Sequence, residues 1–147
     1  MKIEERVFLI LFILFNLFIH YKGLYESRYK KNAYHETPLL IILGICVWGD
    51  AVIFGLFWVI AGIISSLLNS WILFLLIFSL FWVVRGFGES FYWYLQQFSN
   101  INRNPLEKLR GYKFFQNDSI WFIYQIINQC ITVAALVVSV YLVKYKL

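Results

Sequence analysis

Residues 59–81 read VIAGIISSLLNSWILFLLIFSLF. Two apolar runs meet at Asn69-Ser70, with no charged side chain in either. A two-residue polar break is too small to hold a domain, so the chain is predicted to fold back there as a tight antiparallel helical hairpin. Apolar runs of this kind hide their backbone polar groups best as helices within a bilayer.

Working outward, the run before the turn reaches back to Pro38, with Thr37 as candidate N-cap and Pro38 at the first helical position. Its 31 residues, Pro38 to Leu68, would extend about 46 Å as one helix, beyond a hydrocarbon core of about 30 Å. It must tilt, bend near Gly44 or Gly49, or protrude. The run after the turn extends from Trp71 to about Phe98. A fourth, Ile120 to Val143, follows Asn117, Asp118 and Ser119, any of which can cap it. The first, Val7 to Ile19, is interrupted only by Asn16 and is short for a span unless the helix continues through Tyr21 to Leu24. No A-x-A cleavage pattern follows it, so it reads as an uncleaved anchor.

The expected fold is therefore all-α and polytopic: one transmembrane domain, an antiparallel bundle of four helices spanning about 6–24, 38–68, 71–98 and 119–143. Between the last two spans, Asn104-Pro105-Leu106-Glu107 has capping spacing and Gly111 can end the turn. This predicts a short interfacial helix near 105–110, with Leu106, Leu109, Phe114 and Phe115 on the membrane surface. A polar loop with two exposed leucines is the alternative.

Composition agrees. Hydrophobic residues make up 61% of the chain and charged residues 14%, and the mean hydropathy is +0.70. Few soluble folds of this size could hide so much apolar surface. Aromatics reach 21%, with six Trp, which suits two headgroup layers. The net charge of +5 does not point to nucleic acid, because all the Lys and Arg except Arg85 flank apolar runs or lie in the tails, with no basic stripe. Lys22, Arg28, Lys30 and Lys31, with Arg103, Lys108, Arg110 and Lys113, outnumber Lys2, Arg6, Lys144 and Lys146 on the other side. The positive-inside rule then puts loops 20–37 and 99–118 in the cytoplasm and both termini outside.

Cys46 and Cys130 form no C-x-x-C pair, so neither a redox centre nor a metal site is expected, and no cofactor motif is present. The paired cysteines of quinone-linked disulfide enzymes are missing, as is the first-span carboxylate of small multidrug exporters.

Charges within spans are costly, by about 2.5–3.5 kcal/mol at the bilayer centre, which singles out Asp50, Arg85 and Glu89. Hairpin geometry puts all three about 25–30 Å from the Asn69-Ser70 turn, so Arg85 is predicted to bridge Asp50 and Glu89. Further polar side chains fall on the same half: Asn16 and His20 at an i, i+4 spacing, and Gln125, Asn128, Gln129 and Thr132 along one face of the last helix. A ligand- or ion-binding cavity open to the cytoplasm is one reading of Asp50, Arg85, Glu89, Gln125, Asn128, Gln129, Asn16 and His20. Interhelical glue is the other. Ala51 with Gly55, and Gly62 with Ser66, have the spacing that permits close helix packing.

Three functions are compatible with these features. The first is a non-catalytic assembly or accessory subunit of a membrane complex, whose partners are the lipid bilayer and either its own copies or other membrane subunits. The second is a small oligomeric transporter or channel using Asp50, Arg85 and Glu89. The third is a membrane-embedded enzyme, for which no catalytic set of nucleophile, metal or cofactor is apparent.

Overall fold

A computed structural model describes residues 1–99, 105–109, 111–115 and 117–146. It is all-α, with four helices long and apolar enough to cross a membrane: α1 (Ile3–Arg28), α2 (Trp48–Leu67), α3 (Trp71–Phe98) and α5 (Ser119–Lys146). A 3-10 helix, Pro38–Leu43, precedes α2. A 3-10 turn, Leu106–Lys108, and the four-residue α4 (Tyr112–Phe115) precede α5. The candidate cap Asn104 and the basic residues Arg103 and Arg110 lie outside the described residues. Gly111, at φ 86°, separates the 3-10 turn from α4. Phe114 and Phe115 are exposed, as an interfacial segment requires.

The chain divides into two compact units, Met1–Ile77 and Phe78–Leu147. In the first, α1 runs beyond Ile19 to Arg28 and so gains the length a span needs. The Glu5 carboxylate accepts from the Lys2 N–H at 2.6 Å, using one of the donors that a helix start leaves free. The buried residues of α1 include Leu9, Asn16, Ile19, Gly23 and Glu26. With the half-buried Phe12, they form a stripe stepping alternately by three and four. Ala51, Gly55, Trp58, Gly62 and Ser65 form the matching stripe of α2. This is the 3.5-residue period of a left-handed helix pair.

Small residues set how closely that pair approaches. A Cβ on Gly62 would lie 2.6 Å from Ile13 Cγ1, one on Gly55 3.0 Å from the His20 backbone, and one on Gly23 2.8 Å from Ala51 Cβ. As the α1 number rises from 13 to 23, its α2 partner falls from 62 to 51, so the helices are antiparallel and Asn16 faces the level of Val59. The Ala51, Gly55 and Gly62 positions expected to permit close packing do so here. At one end Trp71 and Phe74, in the first turn of α3, pack their rings on Phe8 and Phe12, and Arg6 donates to Asn69 Oδ1 at 2.9 Å. At the other end Lys22 lies 4.9 Å from the Trp48 ring centre. There Lys30 pairs with Glu26 at 2.8 Å, a hydrogen bond that raises the Lys30 pKa above its ordinary value.

The segment 38–68 is not one helix. Gly44 takes φ 72° and closes a Schellman turn: its N–H bonds Ile41 O, and the Ile45 N–H bonds Leu40 O at 3.3 Å. Residues 45–47 then leave the helix before α2 begins. Thr37 does not cap with its side chain. Its Oγ1 donates to Ile45 O at 2.9 Å, and its N–H to Cys46 O at 2.8 Å. Thr37 thus ties the two arms of a short hairpin together.

In the second unit α3 pairs with α5. Ser79 Oγ donates to Ala135 O at 2.6 Å and lies 2.8 Å from Ser139 Oγ. A Cβ on Gly86 would lie 2.5 Å from Thr132 Oγ1, and the Trp93 and Tyr124 rings are 4.8 Å apart. Numbers on α3 rise as those on α5 fall, so this pair is antiparallel too. α5 starts where Asn117 Oδ1 accepts from the Ser119 N–H at 2.9 Å.

Candidate functional site

The polar residues singled out in the sequence fall into two groups, one in each unit. In the first, Asp50 occupies the opening turn of α2, where four N–H groups have no helical acceptor. Its Oδ2 accepts from the Cys46 N–H at 3.0 Å and the Val47 N–H at 3.4 Å, and its charge faces the positive end of the helix dipole. The break at Gly44 is what makes Asp50 a helix-start residue instead of a mid-helix one.

Asn16 and His20 sit in the α1–α2 seam. Asn16 is fully buried and its Nδ2 donates to Phe12 O at 2.9 Å. Its Oδ1 accepts no hydrogen bond among the described residues. His20 Nδ1 lies 2.8 Å from Val52 O, so that nitrogen carries the proton and the ring locks α1 to α2.

In the second group, Arg85 and Glu89 pair at 2.9 Å across one turn of α3, with side chains 19% and 24% exposed. The helix therefore supplies each charge with its counterion locally. On α5, Asn128 Nδ2 donates to Tyr124 O and Thr132 Oγ1 to Asn128 O. These bonds to the preceding turn satisfy polar groups without leaving the helix. Gln125 Oε1 accepts from Gln97 Nε2 at 2.7 Å.

Gln129 is different. It is exposed, about 15 Å along a helix about 42 Å long, and its amide bonds to no other described residue. It lines an open groove of about 590 Å³ between α3 and α5, walled by Phe87, Phe91 and Tyr94 and floored by Ser90, Gln125 and Thr132. The groove is mostly apolar, with a few amides and hydroxyls that can fix the orientation of what enters.

No protein-family model, characterised protein or solved structure matches the chain.

The structure thus brings Gln125, Gln129 and Thr132 together around one groove, Asn16 and His20 into one seam, and Arg85 and Glu89 into one ion pair. Asp50 belongs to the first unit, and Arg85 and Glu89 to the second. No group of three or more His, Cys, Asp or Glu suited to a metal is found among the described residues. Sequence reasoning did not find the groove's α3 wall. Phe87, Phe91 and Tyr94 look like any lipid-facing aromatics, and only the steps of three and four that join them hint at a shared face.

Proposed function

We propose that the protein is a non-catalytic integral membrane protein that works by lateral assembly, its α3–α5 groove receiving the same face of a second copy. The observation that carries this reading is the Gln129 amide, exposed in the groove about 15 Å into α5 and bonded to no other described residue. An amide in hydrocarbon lacks the water that would satisfy it, and polar contacts between helices are the usual remedy. An amide both donates and accepts, so two Gln129 side chains related by a twofold axis satisfy each other, as an isologous interface requires. The engagement of Asp50 and of the Arg85–Glu89 pair in local bonds supports a structural use of the charges.

The test is the oligomeric state in lipid nanodiscs or mild detergent, read by native mass spectrometry. The wild-type chain is expected to dimerise and Gln129→Leu to weaken the dimer by about thirtyfold or more, from the loss of two reciprocal interhelical hydrogen bonds at about 1–2 kcal/mol each. A wild-type chain that stays monomeric at all concentrations sinks the reading.

A second reading, a small oligomeric transporter, is favoured by the partial exposure of the Arg85–Glu89 pair inside a span, where ionisable residues often mark an ion path. It expects Glu89→Gln to abolish flux in vesicles while the folded protein stays in the membrane. With the loops in the cytoplasm, as their basic residues favour, that path would open inward.

A further inference from the structure

We propose that the hairpin Thr37–Val47 is a re-entrant loop, dipping into one leaflet and resting Leu39, Ile41 and Ile42 among lipid acyl chains. The depth of the hairpin follows from one bond. Leu43 O accepts from Trp58 Nε1 at 2.9 Å, and Trp58 lies ten residues into α2, about 15 Å from its start. Side chains on a helix lean back toward its N-terminus by about one turn, so Leu43 sits roughly 10 Å below the level of Trp48.

The chain enters and leaves at that upper level. The Gly49 N–H bonds Ala33 O at 2.8 Å and the Trp48 N–H bonds His35 O at 3.2 Å, while Glu36 and Val47 form an antiparallel bridge. Six residues of 3-10 helix descend about 12 Å. The three residues 45–47, extended, climb about 10 Å. The excursion closes on itself with its tip at Leu43-Gly44, alongside α2.

The upper level is marked as a membrane interface by its side chains. Lys22 lies over Trp48, and Tyr25, Tyr29 and Tyr34 are exposed beside the basic residues Arg28, Lys30 and Lys31, the pairing of aromatic and cationic groups found at headgroup depth. Below it the hairpin's outer surface is apolar: Leu39 is 92% exposed and Ile42 71%. At similar depth α2 itself turns Ile53 and Leu56 outward.

The backbone is equipped for a dry medium. The N–H groups of Thr37, Leu40, Gly44 and Ile45 are bonded within the hairpin, those of Cys46 and Val47 to Asp50, and Pro38 has none. The Leu43 carbonyl takes the indole of Trp58, and the Ile45 carbonyl takes the Thr37 hydroxyl. Non-helical backbone at membrane depth is tolerated where protein covers it, and Leu43, Gly44 and Ile45 at the tip are buried. Asp50 gains a definite role: it holds the returning arm at the interface. No residue of the α3–α5 groove takes part.

The experiment is site-directed spin labelling of the full chain in phosphatidylcholine vesicles, in a background with Cys46 and Cys130 replaced by Ser and helicity verified by circular dichroism. Single cysteines at Leu39 and Ile42 are compared with one at Ile53 as a lipid-facing reference and one at Tyr34 as an interfacial reference. Labels at Leu39 and Ile42 are expected to collide with oxygen and resist a water-soluble nickel chelate, matching Ile53. Ready collision with the chelate, matching Tyr34, overturns the proposal by placing the loop in water. Protection from both reagents overturns it too, by showing a protein surface over the loop. Should the double-serine background fail to fold, hydrogen exchange on the wild-type chain decides: Leu40, Gly44 and Ile45 amides are expected to be as slow as those within α2, and exchange as fast as at Tyr34 overturns the proposal.

Discussion

The two helix pairs solve the same problem with different means. The α1–α2 seam is closed by glycine and alanine, where an added Cβ would meet the facing helix at 2.6–3.0 Å. The α3–α5 seam is threaded with polar groups: Ser79 to Ser139, Thr132 to its own helix, Gln97 to Gln125. Over its most apolar stretch α2 has 39% of its residues buried and α5 only 11%. Their partners α1 and α3 differ less, at 22% and 17%. The second pair keeps polar side chains such as Gln129 exposed beside its apolar faces. Close packing marks the first pair, and the proposed assembly rests on the surface that the second leaves uncovered.

The largest effect expected from this contrast is at Gly55. A leucine there must push the α1 and α2 backbones apart, and Gly55→Leu is expected to cost about 3 kcal/mol in denaturant-induced unfolding followed by Trp fluorescence. A loss below 1 kcal/mol would show that the pair is not held by close approach. Gly44→Ala follows, at about 1–2 kcal/mol, because alanine is strained in the left-handed region. It should also speed hydrogen exchange at Ile45. Asp50→Ala removes the acceptor for two N–H groups and is expected to cost about 1 kcal/mol, with Asp50→Asn recovering much of it. Equal damage from both would assign Asp50 a role that depends on its charge. Smallest is Gly88→Ala: nothing lies within 4 Å of the added Cβ, so the change is expected to be neutral or stabilising by up to about 1 kcal/mol. A clear loss there would mean that this face of α3 is already covered by a partner.

Much of the fold was legible in hydropathy. The Asn69-Ser70 turn, the extension of α1 beyond Ile19 and the start of α5 near Asn117 all follow from where apolar runs meet polar residues. The hairpin at residues 37–47 was not. Leu39, Leu40, Ile41 and Ile42 are as apolar in a re-entrant loop as in a span, and periodicity cannot separate the two when every face is apolar. Only Gly44 carried a signal, as one of two candidate bend points. Neighbours along one helix were legible from a spacing of four: Arg85 and Glu89, which pair, and Asn16 and His20, which share the α1–α2 seam. Which helix faces which was not, because that depends on where Gly23, Gly55, Gly62 and Gly86 let backbones approach.

The antiparallel register of α1 with α2 also sets a timetable for synthesis. Asn16 emerges from the ribosome well before Val59, the residue level it faces, which lies 43 positions later in the chain. At about 5–20 residues per second, that gap lasts roughly 2–9 s. Throughout it α1 carries an amide whose Nδ2 is bonded to its own helix and whose cover by α2 has yet to be made.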